Sequence, residues 1–158
     1  MSLGWIRDIN FLFLLKSNVY LQMSNDLKNE LFNIFSGKSE VRFGTIIQAI
    51  ASYLKDGDSP SSDFENEKHF KKQEAERLEG FITERNLWIN EIDFSQYVSE
   101  GAEQRVYLKD GEYVIKLNDA IYYSSWKEYL YNLLLHNYFF PDTAYDLIGF
   151  TKENEVLY

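Results

Sequence analysis

The sequence predicts an α+β protein, with a helical region over residues 1–86 followed over residues 87–158 by a small antiparallel sheet of about five strands and one crossing helix. Three observations predict it. Apolar residues recur at helical spacing up to Asn86, short β-branched and aromatic runs joined by turn residues follow Phe94, and one amphipathic stretch beginning at Trp126 interrupts those runs. Hydrophobic residues make up 45% of the chain and charged residues 26%, too apolar a balance for a disordered polypeptide. Twelve Tyr and twelve Phe supply the bulk for a dense core.

From Asp26 to Phe35, residues Leu27, Leu31, Phe32, Ile34 and Phe35 recur at helical spacing, with Ser24, Asn25 or Asp26 available as N-cap and Gly37 as a stop. A second helix is expected from Thr45, where Ile46, Ile47, Ile50, Tyr53 and Leu54 form one stripe that Asp56-Gly57 ends. Residues 56–63, with Gly, Asp, Ser and one of the two prolines, predict a linker. From Glu65 to Arg85 a long, half-exposed helix is expected, with Phe70, Leu78, Phe81 and Ile82 on its apolar face. The charges from Glu65 to Glu79 predict a solvated surface. Near the start, Met1-Ser2-Leu3 has the form of an expression tag and Met23 that of a native start, so residues 1–22 are open to reading as a tag or a spurious start.

Strands are expected at Tyr97-Val98, at Arg105 to Leu108 and at Tyr113 to Leu117. Asp110-Gly111 predicts the hairpin turn between the last two, since glycine accepts the positive φ that such turns use. That turn places Lys116 across from Val106. A helix follows, capped by Ser124 or Ser125, with Trp126, Tyr129, Leu130, Leu133 and Leu134 on its buried face and Pro141 closing it. Ala144 to Phe150 and Glu155 to Tyr158 suggest two further strands.

Several function classes are set aside by composition. A formal net charge of −9 argues against a nucleic-acid-binding surface, whose affinity comes mainly from Lys and Arg neutralising phosphates. Without cysteine there is no disulfide framework or thiolate zinc site, and the two histidines, His69 and His136, are far apart. No metal ligand is assigned. The apolar run Phe11 to Leu15 is bracketed by Asp8 and Lys16 and is too short to span a bilayer or to serve as a secretory signal, so no membrane association and a cytoplasmic location are expected.

The order of three strands, one helix and two strands resembles the small lobe of protein kinases, and particular residues carry the resemblance. Ser99-Glu100-Gly101-Ala102-Glu103-Gln104-Arg105-Val106-Tyr107 is similar to a degenerate glycine-rich loop, with Gly101 at the central glycine and Val106 at the valine that packs on adenine. Ser99 and Gln104 stand where the outer glycines would be, leaving Gly101 for a close backbone approach to phosphate. Tyr113-Val114-Ile115-Lys116 resembles the third-strand motif whose lysine reaches the nucleotide phosphates, and Glu128 is the candidate carboxylate that orients it. Together with Leu117-Asn118-Asp119 and His136-Asn137-Tyr138-Phe139-Phe140-Pro141, the stretch from about Leu87 to Tyr158 resembles the kinase-like domain of polyvalent proteins from bacterial mobile elements.

The resemblance implies an ATP-binding small lobe with Gly101, Val106, Lys116 and Glu128 at the nucleotide. Val156-Leu157-Tyr158 resembles the last strand before the hinge, so the chain looks cut at the lobe boundary. Magnesium and the catalytic aspartates would come from a further lobe, and phosphotransfer by this chain alone is not expected. No catalytic residue is assigned. A second reading is a non-catalytic protein-interaction module or pseudokinase-like fragment, in which the aromatic surface of the Trp126 helix and Tyr138 to Phe140 docks another protein or a second copy. Each candidate residue also has a plainer reading: Lys116 as a strand lysine reaching solvent, Gly101 as a turn glycine, and Glu128 as half of a capping box with Ser125. His136 is read as a packing histidine.

Overall fold

The computed structural model describes residues 25–55, 64–90, 93–152 and 156–157. The expected linker at 56–63 and the readings of residues 1–22 lie outside the described residues. Helix α1 (Asn25–Phe35) ends as its sequence requires. Gly37 takes φ +77°, its N–H donates to the Ile34 carbonyl, and Lys38 N–H donates back to Asn33. This pair of bonds satisfies carbonyls that a helix end would otherwise leave open. Helix α2 (Gly44–Lys55) buries Ile47, Ile50, Ala51 and Leu54, but Tyr53, expected on the same stripe, lies on its shoulder under the Arg77 guanidinium. Helix α3 (Phe64–Glu84) closes with the same device as α1, Asn86 taking φ +54° in place of glycine.

The sheet comprises β1 (Tyr97–Glu100), β2 (Gln104–Leu108), β3 (Val114–Asn118), β4 (Gly149–Phe150) and β5 (Val156–Leu157), in the order β1-β2-β3-β5-β4 with antiparallel pairing. Three strands run four or five residues, with a register shift between Tyr97 and Ser99 in β1, whereas β4 and β5 are two-residue pairings. The strand expected from Ala144 is therefore confined to Gly149–Phe150, because a short 3₁₀ turn at Pro141–Thr143 and an irregular segment take up the residues before it. The chain leaving α3 runs beside β4: Phe150 N–H donates to Leu87 O and Ile89 N–H to Phe150 O. The β2–β3 turn forms where expected but not by the expected means. Gly111 has no positive φ; instead the Asp110 carboxylate accepts from the N–H groups of Glu112 and Tyr113 and closes the turn as an Asx cap.

Helix α4 (Trp126–Phe139) crosses between the layers. Its buried residues Trp126, Tyr129, Leu130, Leu133 and Leu134 join Ile34, Ile47, Ile50, Leu54, Leu78, Phe81 and Ile82 in one core, which also takes Leu147 and Phe150 from the sheet side. A smaller cluster, Tyr107 and Leu117 with Ile89 and Ile115, lies on one face of the β2–β3 hairpin. The helix thus stitches the N-terminal helices to the sheet. Trp126 lies on the buried face expected of it and is only 3% exposed, packed into the core shared with the N-terminal helices. Phe139 and Phe140, at its far end, are exposed.

The crossing of β4 with the Leu87–Ile89 segment leaves no room for a side chain at Gly149. An added Cβ would stand 2.5 Å from Leu87 O and 2.8 Å from Ile89 Cγ1. Since the first obstacle is backbone, Gly149→Ala should destabilise the protein by about 2 kcal/mol, as overpacking of a close contact does. Urea unfolding of the two proteins measures it.

Candidate functional site

The two central strands fix the first part of the site. In the β2–β3 register Val106 faces Lys116 and Leu108 faces Val114. Directly opposed residues share a face of an antiparallel pair, and residues two apart along a strand do so as well. Val106, Leu108, Val114 and Lys116 therefore lie on one face, with Tyr107, Ile115 and Leu117 on the other. The second face is filled by its own small core. The first is more open: Leu108 and Val114 are 42% and 44% exposed, while Val106 and Lys116 are half-buried. An apolar strip beside a lysine is a surface suited to a flat apolar ring attached to an anionic group. Sequence reasoning singled out Val106 and Lys116 but missed Leu108 and Val114, which the two-residue strand period could have found.

Gly101 sits at the β1–β2 turn, where its N–H donates to the Gln104 carbonyl at 2.9 Å. It has no positive φ, and an added Cβ would meet nothing within 4 Å. Among the described residues neither the turn nor the packing requires glycine there. Its neighbours Ser99 and Glu100 pair with Val106 and Arg105, so the turn stands at the end of the strand that carries Val106.

Lys116 reaches toward the loop after α4. Its Nζ donates to the Tyr145 hydroxyl at 3.3 Å and lies 4.8 Å from the centre of the Tyr145 ring. Burial lowers the pKa of this ammonium from its ordinary value. Tyr145 was not singled out from the sequence, because its partner is 29 residues away and no local spacing announces the contact.

Glu128 stands in the first turn of α4. Its carboxylate accepts from the N–H of Ser124 at 3.0 Å and from the Ser124 hydroxyl, while its own N–H donates to the N-cap Ser125 Oγ at 3.0 Å. These are the reciprocal bonds of a helix start, with the carboxylate reaching one residue beyond the cap. His136 packs as expected, its ring against Tyr145 at 4.6 Å and its Nε2 at 3.0 Å from the Thr143 carbonyl.

Helix α3 contributes more than the solvated surface expected of it. Glu74 is 3% exposed, and its carboxylate accepts from the N–H groups of Trp126 at 2.6 Å and Lys127 at 3.2 Å. A carboxylate there meets the positive end of the α4 dipole and satisfies N–H groups that have no partner within the helix. One turn earlier, Lys71 Nζ donates to the carbonyls of Ala120 and Tyr123 at 3.0 and 2.8 Å. Burial lowers the Lys71 pKa, opposed by the nearby carboxylates of Asp119, Glu74 and Glu128. Ala120 takes φ +54°, with its N–H bonded to Asn118 Oδ1. The connection from β3 to α4 is thus pinned from α3 at both ends. The spacing of Lys71 and Glu74 on one helix face was visible in the sequence, but nothing in it told that this face was covered.

A family model described as a serine/threonine/tyrosine kinase found in polyvalent proteins matches residues 71–158. No curated protein and no solved structure matches the chain. The match begins at Lys71 itself, so it takes in the part of α3 that anchors α4 along with the whole sheet.

Proposed function

Because the chain belongs to the serine/threonine/tyrosine kinase family found in polyvalent proteins, we propose that its sheet is the nucleotide-covering lobe of a kinase-like protein and that its ligand is ATP. The observation that carries the reading is the pairing of Val106 with Lys116 on the open face of the β2–β3 hairpin. Val106, Leu108 and Val114 would cover the adenine, Lys116 would meet the phosphates, and the turn at Gly101 would close over them. The open space around Gly101 supports this assignment, since a loop backbone can come close to a phosphate only where no side chain intervenes. Glu128, in the first turn of α4, would orient the lysine.

Among the described residues no group of three or more His, Cys, Asp or Glu side chains gathers. Exposed Phe139 and Phe140 favour a second reading, a protein-docking module.

Calorimetric titration of ATP, with and without magnesium, separates the two. Saturable binding by the unaltered chain and at least a tenfold loss in Lys116→Ala are expected, since a half-buried ammonium facing a phosphate contributes on the order of 1.5–3 kcal/mol. No heat of binding at millimolar nucleotide would remove the nucleotide reading and leave the docking module.

A further inference from the structure

Lysine has four rotatable side-chain bonds, so a phosphate-binding lysine on a strand needs something to hold its end in place. In this protein an aromatic group lies against that end. The Tyr145 ring lies 4.8 Å from Lys116 Nζ and its hydroxyl accepts from it at 3.3 Å, so both the π face and the oxygen bear on the ammonium. The ring is itself confined. His136 packs against it with ring centres 4.6 Å apart, and Asn137, fully buried in α4, brackets the Tyr145 backbone. Asn137 Oδ1 accepts the Tyr145 N–H at 2.8 Å, and its Nδ2 donates to the Tyr145 carbonyl at 2.9 Å and to the Arg42 carbonyl at 3.0 Å. A residue clamped on both sides of its α-carbon cannot swing without breaking bonds to the core.

We propose that Tyr145 is a positioning residue for nucleotide binding, holding the Lys116 ammonium in place for the phosphates through its hydroxyl and its ring. The proposal rests on the reading of the sheet as a nucleotide lobe and names a residue that the kinase resemblance does not supply. Glu128, which the resemblance does supply, has its carboxylate on Ser124 at the start of α4. The difference has a chemical consequence. A phenol holds a cation without placing a negative charge beside the incoming phosphates, whereas a carboxylate at the same spot would repel them.

Two variants separate the parts of the contact. Tyr145→Phe keeps the ring and its packing and removes the hydroxyl; Tyr145→Leu removes the ring as well. ATP affinity is measured by calorimetry on each, and the Lys116 ammonium is titrated by NMR of isotopically labelled lysine side chains, a readout that a merely structural role would leave unmoved. Tyr145→Phe should unfold at the unaltered temperature, bind ATP about threefold more weakly, and show a lower Lys116 titration midpoint, because the lost oxygen stabilised the charged form. Tyr145→Leu should weaken ATP binding at least tenfold. ATP affinity and Lys116 titration unchanged in Tyr145→Phe, with ATP still bound by the unaltered chain, would overturn the positioning role and leave the nucleotide lobe standing. Absence of ATP binding to the unaltered chain would overturn the lobe itself, and the role of Tyr145 with it, even if the Lys116 midpoint moved.

Discussion

Replacing Asn137 by leucine should destabilise the protein by about 3 kcal/mol or more, even though leucine is similar in size and suits a helix better. The reason lies in what the amide does. Fully buried in α4, Asn137 donates to the carbonyls of Arg42 and Tyr145 and accepts the Tyr145 N–H, joining the segment before α2, helix α4 and the loop toward β4 at one point. Leucine satisfies none of these groups, and each partly buried backbone group left without a partner costs about 1–3 kcal/mol. Asn137→Asp should fare little better, because an ionised carboxylate would face two carbonyl oxygens. Urea unfolding followed by circular dichroism gives the stabilities. The account also expects a local effect: the Tyr145 ring, freed from its clamp, should lose its fixed place beside Lys116 and show rapid ring averaging by NMR in conditions where the variant remains folded.

Glu74→Ala is expected to cost about 3 kcal/mol, a large effect for a residue in a stretch of sequence that looks like charged surface. Alanine leaves the N–H groups of Trp126 and Lys127 without acceptors at the buried start of α4 and removes a carboxylate close to Lys71. The same site makes stability depend on pH, and the sign follows from the direction of the shift. Burial raises the Glu74 pKa above its ordinary 4.5, outweighing the two backbone N–H groups and the positive charges of Lys127 and Lys71 that favour the anion. The folded protein therefore holds the proton more tightly than the unfolded chain. Glu74 then contributes most at pH below about 4.5, and its contribution declines as pH rises through the raised value. Glu74→Gln cannot titrate. The stability of the unaltered protein relative to Glu74→Gln should thus fall as pH is raised from 4.5, and comparison of the two denaturation midpoints across that range measures the change. A relative stability that rose over the same range would mean that the helix start and Lys71 stabilise the anion more than burial penalises it.

Much of the fold was legible because it is carried by short-range patterns. Leu130, Leu133 and Leu134 declare a buried helical face, Gly37 a stop, and Ser125 a start, each within one or two turns of chain. The three longer strands announced themselves in the same way, and the pairing of Val106 with Lys116 followed from the turn between them. Where one structure can be reached by two chemistries, the sequence misled. Asp110-Gly111 makes its turn through the aspartate's side chain rather than the glycine's φ, and both means leave the same letters in the sequence. What could not be read is long-range. Glu74 on the start of α4, Asn137 on Arg42, and Lys116 on Tyr145 join residues 52, 95 and 29 positions apart, and single side chains carry no sign of a partner so distant.

The most direct test of the nucleotide lobe is an amide NMR titration of the isotopically labelled protein with ATP and a non-hydrolysable analogue. The account predicts saturable shifts confined to residues 99–108 and 114–118 and to the loop around Tyr145, with the Lys116 side chain among the resonances that move most. Shifts spread over the exposed faces of α1 to α3, or none at millimolar nucleotide, would contradict it.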